Sequence, residues 1–296
     1  MAERSVKTNG ALVAAIVSIS FAATFIRLAD APAVVIAGYR MLFSTLILLP
    51  FVLSSRSVIG ELCGLGWSGA ALLALSGLFL SIHFMSWIAS IFLTGVASSI
   101  MLVTTTPLFV ALFSVLALKE KVPLLFWAGL GLAAAGAFVI GGGDLFEGGV
   151  RWKGDLLALI GALAAGGYFI VGSRLRKRLS LLAYVFPVYA VSTVFIFAAM
   201  LLGRVPATGY RGSMYLYSLL LALVCQIMGH TLFNWALRHV KATFVTLGVL
   251  GEPVGASVIA YIVLEEKPIL REAAGGLLIL AGLFCALFFR KRHVAV

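Results

Sequence analysis

Residues 104–123 read TTTPLFVALFSVLALKEKVP, and residues 250–268 read LGEPVGASVIAYIVLEEKP, so two distant stretches of the chain follow one plan. Each has a proline near its start, then an apolar run, then an exit that carries Glu-Lys before the next proline. A single offset along the chain aligns Pro107 with Pro253 and Leu118 with Leu264. The chain therefore contains an internal repeat whose unit is about half of its length.

The composition is that of a protein immersed in lipid. Hydrophobic residues make up 62% of the 296 positions and charged residues 11%, with a mean hydropathy of +1.13. Soluble domains are about half apolar and about a quarter charged. The formal charge of +11 comes from basic residues at the ends of apolar runs, as in the loops of membrane proteins, which excludes nucleic-acid binding. The three cysteines lack metal or redox spacing, so we expect no metal site and no cofactor.

Apolar runs of membrane-spanning length, about 20 residues, predict ten transmembrane helices and an all-α integral membrane fold. The first has Arg4 and Lys7 before it but no convincing cleavage site, so it is predicted to stay as a helix. The short gap at Gly95 predicts a hairpin between the third and fourth spans. The predicted spans are 9–27, 33–53, 68–92, 96–118, 123–140, 154–173, 181–202, 214–237, 243–264 and 272–289.

The repeat divides the spans into two halves of five helices. The predicted units are residues 1–140 and 154–296, joined by an extracytoplasmic loop at 141–153. Because five is odd, the second half enters the membrane from the opposite side, and the repeat is inverted. Inverted repeats are typical of secondary transporters, whose substrate sites lie near the midplane between the halves. The repeat aligns further pairs: Glu120 with Glu266, Lys121 with Lys267, Gly129 with Gly275, Gly136 with Gly282 and, with one residue more, His83 with His230.

The basic residues predict the orientation. With both termini in the cytoplasm, and with Lys267 and Arg271 counted inside and Arg238 outside, the cytoplasmic side holds about twice as many basic residues. The loops are short and no retrieval signal is present, so we predict a multi-pass protein of the bacterial inner (plasma) membrane.

These segments together resemble the drug/metabolite transporter (DMT) superfamily, and within it the EamA-type exporters. The likeness is carried by the proline-centred helix that runs into residues 118–121, by the glycine-rich helix after it, and by their duplication at 252–282. The entry to the second half, GDLLAL at 154–159, followed by Tyr168 and a basic loop, adds to it. The chain is most similar to exporters of aromatic and other amino acids. The resemblance implies a secondary transporter that exports such metabolites and is not an enzyme.

Ionisable and polar side chains inside the spans are the candidate site. Burial disfavours the charged form of a carboxyl, so Glu252 is a candidate to carry a proton or face a substrate ammonium, or else a structural partner of backbone freed by Pro253. Its repeat counterpart is Thr106. Gln226, His230 and Asn234 form one stripe, predicted to line a water-filled cavity or to bond between helices. The matching stripe on the third span contains His83 and Trp87.

Aromatic side chains and one arginine complete the prediction. Tyr39, Trp87, Tyr168 and Trp235 offer an apolar wall for a substrate. Arg40 can pair with a carboxylate, although snorkelling to the interface competes. Pro107 and Pro253 occupy equivalent places in the halves and are predicted hinges for alternating access, or purely structural kinks.

An enzyme, a scaffold or an ATP-driven pump would each be expected to show a motif or domain of its own in the sequence. No His-Glu-x-x-His or Gly-x-Ser-x-Gly motif supports an intramembrane enzyme, and no soluble domain supports a scaffold. Without a phosphate-binding loop, direct ATP use is not expected. The rival substrates are cationic drugs, which would depend on Glu252, and nucleotide sugars, which would need more deep basic residues than Arg40. The predicted partners are the lipid bilayer and a small-molecule substrate, with facilitated diffusion and proton exchange both open.

Overall fold

The computed structural model describes residues 2–118, 124–146, 149–240, 242, 245–246, 249–267 and 269–288, and these residues form helices and turns without β-strands. The exit motif at 119–121, Lys241 and the basic residues after 288 lie outside the described residues. The helices are α1 (Ala2–Ser20), α2 (Ala22–Ala29), α3 (Ala33–Leu53), α4 (Arg56–Cys63), α5 (Trp67–Leu93), α6 (Val96–Val103), α7 (Thr106–Leu118), α8 (Leu124–Phe146), α9 (Arg151–Leu175), α10 (Leu181–Leu202), α11 (Gly212–Leu220), a π-helical segment (Leu221–His230), α12 (Thr231–Ala236), a 3₁₀ turn (Val249–Gly251), α13 (Glu252–Leu264) and α14 (Leu270–Phe288).

The all-helical membrane fold is confirmed. Within the described residues, seven helical segments are long and apolar enough to cross a bilayer, and the shorter apolar helices Trp127–Ile140 and Glu252–Leu264 stand where the fifth and ninth spans are predicted. The count of ten spans and the cytoplasmic termini remain predictions. The seven segments are Gly10–Ala29, Ala33–Leu53, Trp67–Leu93, Val96–Ser114, Arg151–Leu175, Leu181–Leu202 and Gly212–Ala236.

The bundle has apolar side chains outside and polar side chains within, as lipid requires. Ile262 is 70% exposed and Leu277 69%, whereas Arg40 and Gln226 are fully buried. A soluble protein would have the reverse arrangement. In a bilayer the exposed apolar side chains meet acyl chains, and the polar groups are kept away from them in the interior.

The loops lie on two opposite faces of the bundle. Face A holds loops 54–66, 176–180 and 237–240, since Glu61 accepts a hydrogen bond from the Ser180 amide at 2.6 Å and Arg176 donates to the Asn234 carbonyl at 2.9 Å. Face B holds loops 30–32, 94–95, 149–150, 203–211 and 265–267, since Glu266 accepts from the Val96 amide at 2.8 Å and Arg211 lies 3.7 Å from Asp30.

This arrangement corrects the orientation prediction at one point. Lys267 and Arg271 belong to face B, and Arg238 belongs to face A with the loop after α9. The assignment of Lys267 and Arg271 to the side of the termini was therefore wrong, because equivalent loops of an inverted repeat lie on opposite faces. The two loops that exchange sides contain equal numbers of basic residues. The excess of basic residues on the side of the termini, which predicts that the termini are cytoplasmic, is therefore unchanged.

The hairpin between α5 and α6 is as tight as predicted. Only Thr94 and Gly95 separate the two helices. Gly95 has a φ of 107°, which favours glycine because other residues would place a Cβ too close to the backbone. Glu266 then accepts the first free amide of α6, that of Val96.

Helices α8 and α14 meet through glycines that the repeat makes equivalent. A Cβ built on Gly136 would lie 2.5 Å from the Gly275 carbonyl oxygen, and one on Gly282 would lie 2.5 Å from the Gly129 carbonyl oxygen. The repeat aligns Gly129 with Gly275 and Gly136 with Gly282, so each contact is the symmetry mate of the other. Two helices related by a two-fold axis make such reciprocal contacts. Small residues at such interfaces let backbones approach closely in lipid.

This contact predicts the effect of a bulky side chain. Gly136→Val should destabilise the protein by about 1–3 kcal/mol, because the added carbons overlap the backbone of α14. Gly131→Val on the same helix meets open space and serves as the control. Thermal unfolding of the two purified proteins in detergent measures the difference, and equal melting temperatures would contradict the close contact.

Candidate functional site

A small cavity of about 40 Å³ lies in the centre of the bundle, between the two halves. That volume holds about three water molecules. Helices α5, α6, α7 and α9 contribute walls from the middle of the chain, and α1, α2, α12 and α13 contribute the others. It is lined by Ile19, Ala22, His83, Trp87, Val103, Thr106, Ala165, Tyr168, Phe169, His230, Phe233, Val249 and Glu252.

The two repeat-related histidines meet at this cavity. The ring centroids of His83 and His230 are 6.3 Å apart. His83 Nδ1 lies 2.9 Å from the Gly161 carbonyl oxygen, and because a carbonyl only accepts, Nδ1 carries the proton. Trp87 stacks on His83, with centroids 5.8 Å apart and planes 7° apart. The ring of His83 is thus fixed between a carbonyl and an indole.

Glu252 brings a carboxyl to the same cavity. It is the first residue of α13, 7% exposed, and the described residues offer its side chain neither a hydrogen bond nor an ion pair. The amino end of a helix carries a partial positive charge, which favours an anion there. Thr106, its repeat counterpart, lines the cavity from the other half and donates to the Val103 carbonyl at 2.8 Å. Glu252 and Thr106 thus line the same cavity from equivalent positions of the two halves, although their side chains differ in chemistry.

Arg40 lies one side chain behind the cavity wall. Its Nε and Nη2 donate to the Gln226 Oε1 at 3.0 and 2.8 Å, and its guanidinium sits 3.9 Å over the Phe84 ring. Phe84 in turn packs against His230, with centroids 5.3 Å apart. Within the described residues no carboxylate comes within salt-bridge distance of Arg40. A buried cation without a close counter-ion is expensive in a membrane and marks a functional centre.

Asn234 positions the tyrosine of the cavity wall. Its Nδ2 donates to the Tyr168 hydroxyl at 2.5 Å and to the His230 carbonyl at 2.8 Å. Tyr168 also stacks on Tyr184, with centroids 6.4 Å apart. The tyrosine, which lines the cavity, is therefore held by groups from α10 and α12.

The predicted site residues separate into three groups. His83, Trp87, Tyr168, His230 and Glu252 line the cavity. Arg40, Gln226 and Asn234 are buried behind it. The other two are elsewhere. Tyr39 donates to the Ala207 carbonyl at face B, and Trp235 packs on His239 at face A, with centroids 4.5 Å apart.

Sequence reasoning missed Phe169, Phe233 and Ala165 on the wall. Ordinary apolar residues in an apolar span carry no distinguishing signal. Phe169 directly follows the predicted Tyr168, and Phe233 directly precedes Asn234, so proximity in sequence was the only available hint.

The two predicted hinge prolines stand at breaks between helices. The fourth span is interrupted at Thr104 and Thr105, and Pro107 falls in the first turn of α7. In the ninth span, Pro253 is the second residue of α13, after the 3₁₀ turn. A proline in the first turn lacks an amide that would be unpaired anyway. Discontinuous helices of this kind surround the substrate sites of secondary transporters.

The eighth span contains an irregularity that the sequence did not reveal. Residues Leu221–His230 form a π-helix, which carries Gln226 and ends at His230. Thr231 Oγ1 donates to the Gln226 carbonyl at 3.1 Å. π-Helical turns are rare and occur frequently at functional sites. The described residues hold no group of three His, Cys, Asp or Glu side chains that would bind a metal ion.

Comparison with known proteins agrees with this architecture. The EamA-like transporter family matches the chain twice, over residues 8–142 and 152–288. An uncharacterized transporter of Archaeoglobus fulgidus is 27% identical over 264 residues, which cover 87% of this chain and 88% of that protein. A protein of known crystal structure, 18% identical, has the same fold, with a TM-score of 0.70 over 97% of this chain and 99% of its own. The chain therefore belongs to the EamA-like transporter family of the DMT superfamily and is a multi-pass membrane transporter.

Proposed function

We propose that this protein exports amino acids, aromatic ones among them, from the cytoplasm across the bacterial inner membrane by alternating access. The transport units are residues 1–140 and 154–296, joined outside the membrane at 141–153, with both termini in the cytoplasm. The two family matches and the reciprocal glycine contacts support this division. The observation that carries the proposal is the single carboxyl, Glu252, in a cavity whose described walls are otherwise aromatic, apolar or uncharged.

The chemistry of the wall suits a zwitterion with an aromatic side chain. Glu252 offers a partner to an ammonium group. Trp87 Nε1 and His230 Nδ1 are buried without a hydrogen-bond partner among the described residues, and the indole nitrogen can only donate, as a carboxylate requires. Phe169 and Phe233 supply apolar ring faces. The positive charge of Arg40 behind the wall favours the carboxylate end further.

Proton exchange follows from the same carboxyl. A proton and a substrate ammonium compete for Glu252, so protonation from the outside would release the amino acid there. Deprotonation toward the cytoplasm would restore the site for the next substrate. The two ligands would then move in opposite directions, which is antiport.

Alternating access requires the cavity to grow, because drug-sized ligands occupy sites of about 300–1,000 Å³. The breaks before Pro107 and Pro253 are the places where each half can bend. On face B, Glu272 joins three helices: it accepts from Ser98 Oγ at 2.7 Å and from Arg151 Nη2 at 3.2 Å. We assign this junction the role of the outer gate.

The gate predicts a change in accessibility. Glu272→Gln should speed the labelling of a Val103→Cys reporter by an impermeant maleimide from face B roughly tenfold, since a charge-assisted hydrogen bond contributes about 1.5–3 kcal/mol. The native cysteines are replaced by serine in this background. Glu265→Gln, a neighbouring exposed carboxyl, is the control. Equal labelling of the two variants would rule out a gate at Glu272.

Transport by purified protein tests the proposed function. Proteoliposomes are loaded with labelled phenylalanine, leucine or lysine, and efflux is followed with and without an acidic exterior. Efflux of phenylalanine that rises with the gradient supports proton-coupled export. Efflux indifferent to the gradient would indicate a facilitator. No efflux of any amino acid, with uptake of a quaternary ammonium drug, would make Glu252 the centre of a cation carrier instead.

A further inference from the structure

A second cavity, much larger than the central one, opens on the side of the bundle. It measures about 570 Å³ and lies between the α6–α7 span, α8 and α9. Its wall is apolar apart from Thr105, Asp155 and the indole nitrogen of Trp152. Phe138 and Leu156 at its edge are 64% and 50% exposed, so the groove opens toward the surrounding lipid.

The groove runs from the face B interface past the midplane. On α9 its wall begins at Trp152, and along the fourth span it runs from Leu102 to Leu112, about 15 Å at 1.5 Å per helical residue. The hydrocarbon core is about 30 Å thick and Leu112 lies about 24 Å along the span from Val96, so the groove is deeper than one leaflet. Alanines 133, 134 and 137 make room for it on α8. A slot of this shape fits an acyl chain that lies along the membrane normal.

An exposed lysine stands beside the interfacial end of the groove. Trp152 forms its wall there, at the start of α9, where an indole is suited to the headgroup region. Lys153 is exposed, and its Nζ lies 5.9 Å from the centre of the Trp152 ring. Arg151 precedes them and is held in place by Glu272. The Lys153 ammonium beside the mouth of an apolar slot is complementary to the phosphate of an anionic phospholipid.

We propose that this groove is a binding site for one glycerophospholipid with an anionic headgroup, its acyl chain along α8 and its phosphate beside Lys153. The site has a route to the transport machinery. Thr105 lines the groove and Thr106 lines the central cavity, and both belong to the interruption of the fourth span. A lipid in the groove therefore contacts the segment that must bend during transport.

Lipid retention tests the site independently of any substrate. The protein is reconstituted in vesicles of phosphatidylcholine and phosphatidylglycerol, re-extracted in mild detergent, and weighed by native mass spectrometry. The wild type should retain one phosphatidylglycerol. Ala134→Trp, which fills the groove, should lose it, and Ala135→Trp on the next position outside the groove should keep it. Lys153→Gln should lower phosphatidylglycerol retention about fivefold, the effect of one lysine at an anionic surface.

Lys267→Gln is the matched control for the headgroup. Lys267 is also exposed on face B, with its Nζ 6.0 Å from the Tyr261 ring, but Tyr261, unlike Trp152, does not line the groove. Equal retention of the two lipids by the wild type, or of phosphatidylglycerol by Lys153→Gln and Lys267→Gln, would overturn the proposal. If Ala134→Trp fails to fold, the two lysine variants decide the question alone.

Discussion

Glu252→Gln is expected to abolish the gradient-driven efflux of amino acids while leaving a folded protein. Glutamine has nearly the same size as glutamate but can neither carry the exchanged proton nor pair with an ammonium group. Removing one partner of a buried ion pair costs about 3–5 kcal/mol, which corresponds to roughly a hundredfold to several thousandfold loss of affinity. The initial rate of labelled phenylalanine efflux with an acidic exterior measures it.

Glu265→Gln is the control for this variant, because it removes a carboxyl that lies at the other end of α13 and is exposed on face B. It should transport like the wild type. Glu252→Asp, which keeps the charge on a shorter side chain, should retain a gradient response at a reduced rate. Unchanged, gradient-independent flux in Glu252→Gln would leave a facilitator and make Glu252 a structural residue.

The second large effect is expected for Arg40→Met. This change removes a buried cation and leaves the Gln226 Oε1 without its two donors, in the interior of the bundle. Loss of these charge-assisted hydrogen bonds predicts a decrease of about 1.5–3 kcal/mol in the free energy of unfolding. Thermal unfolding in detergent, followed by intrinsic fluorescence, measures the loss.

A double-mutant cycle identifies which interaction of Arg40 causes the loss of stability in Arg40→Met. If Arg40 balances the charge of Glu252, the double variant Arg40→Met/Glu252→Gln should be more stable than Arg40→Met alone. Arg211→Met is the control, since Arg211 also faces an acid, Asp30 at 3.7 Å, but both are exposed, and such pairs contribute about 0–1 kcal/mol. Strict additivity of the two buried substitutions would show that Arg40 acts only through Gln226 and Phe84.

The parts of this site that the sequence predicted are those with a scarce residue type or a repeated pattern. Few side chains in the spans are ionisable, so Glu252, His83 and His230 were visible at once. The repeat placed the two histidines in equivalent positions, and the structure shows their rings near each other. The same symmetry shows why the loop charges at 265–271 belong to face B.

Other features depend on packing that a single sequence does not encode. For Arg40 the sequence left open an interior position and snorkelling to the interface. The side chain is buried, and Phe84 and Gln226 fill the space between it and the cavity. Tyr39 and Trp235 are aromatic, like several residues of the cavity wall, but they face the two ends of the bundle. The π-helix at 221–230 has no sequence signature, because the segment is almost entirely apolar and a change in residues per turn alters no visible pattern.

The most direct test of the central claim is competition for phenylalanine counterflow by analogues that lack one charge. Unlabelled phenylalanine, phenethylamine and 3-phenylpropionate are added outside proteoliposomes that exchange labelled phenylalanine. Zwitterion recognition predicts that both analogues compete at least roughly tenfold more weakly than phenylalanine, since each lacks one charged hydrogen-bonding group. Phenethylamine that competes as well as phenylalanine would contradict recognition of the carboxylate and identify a carrier of cations.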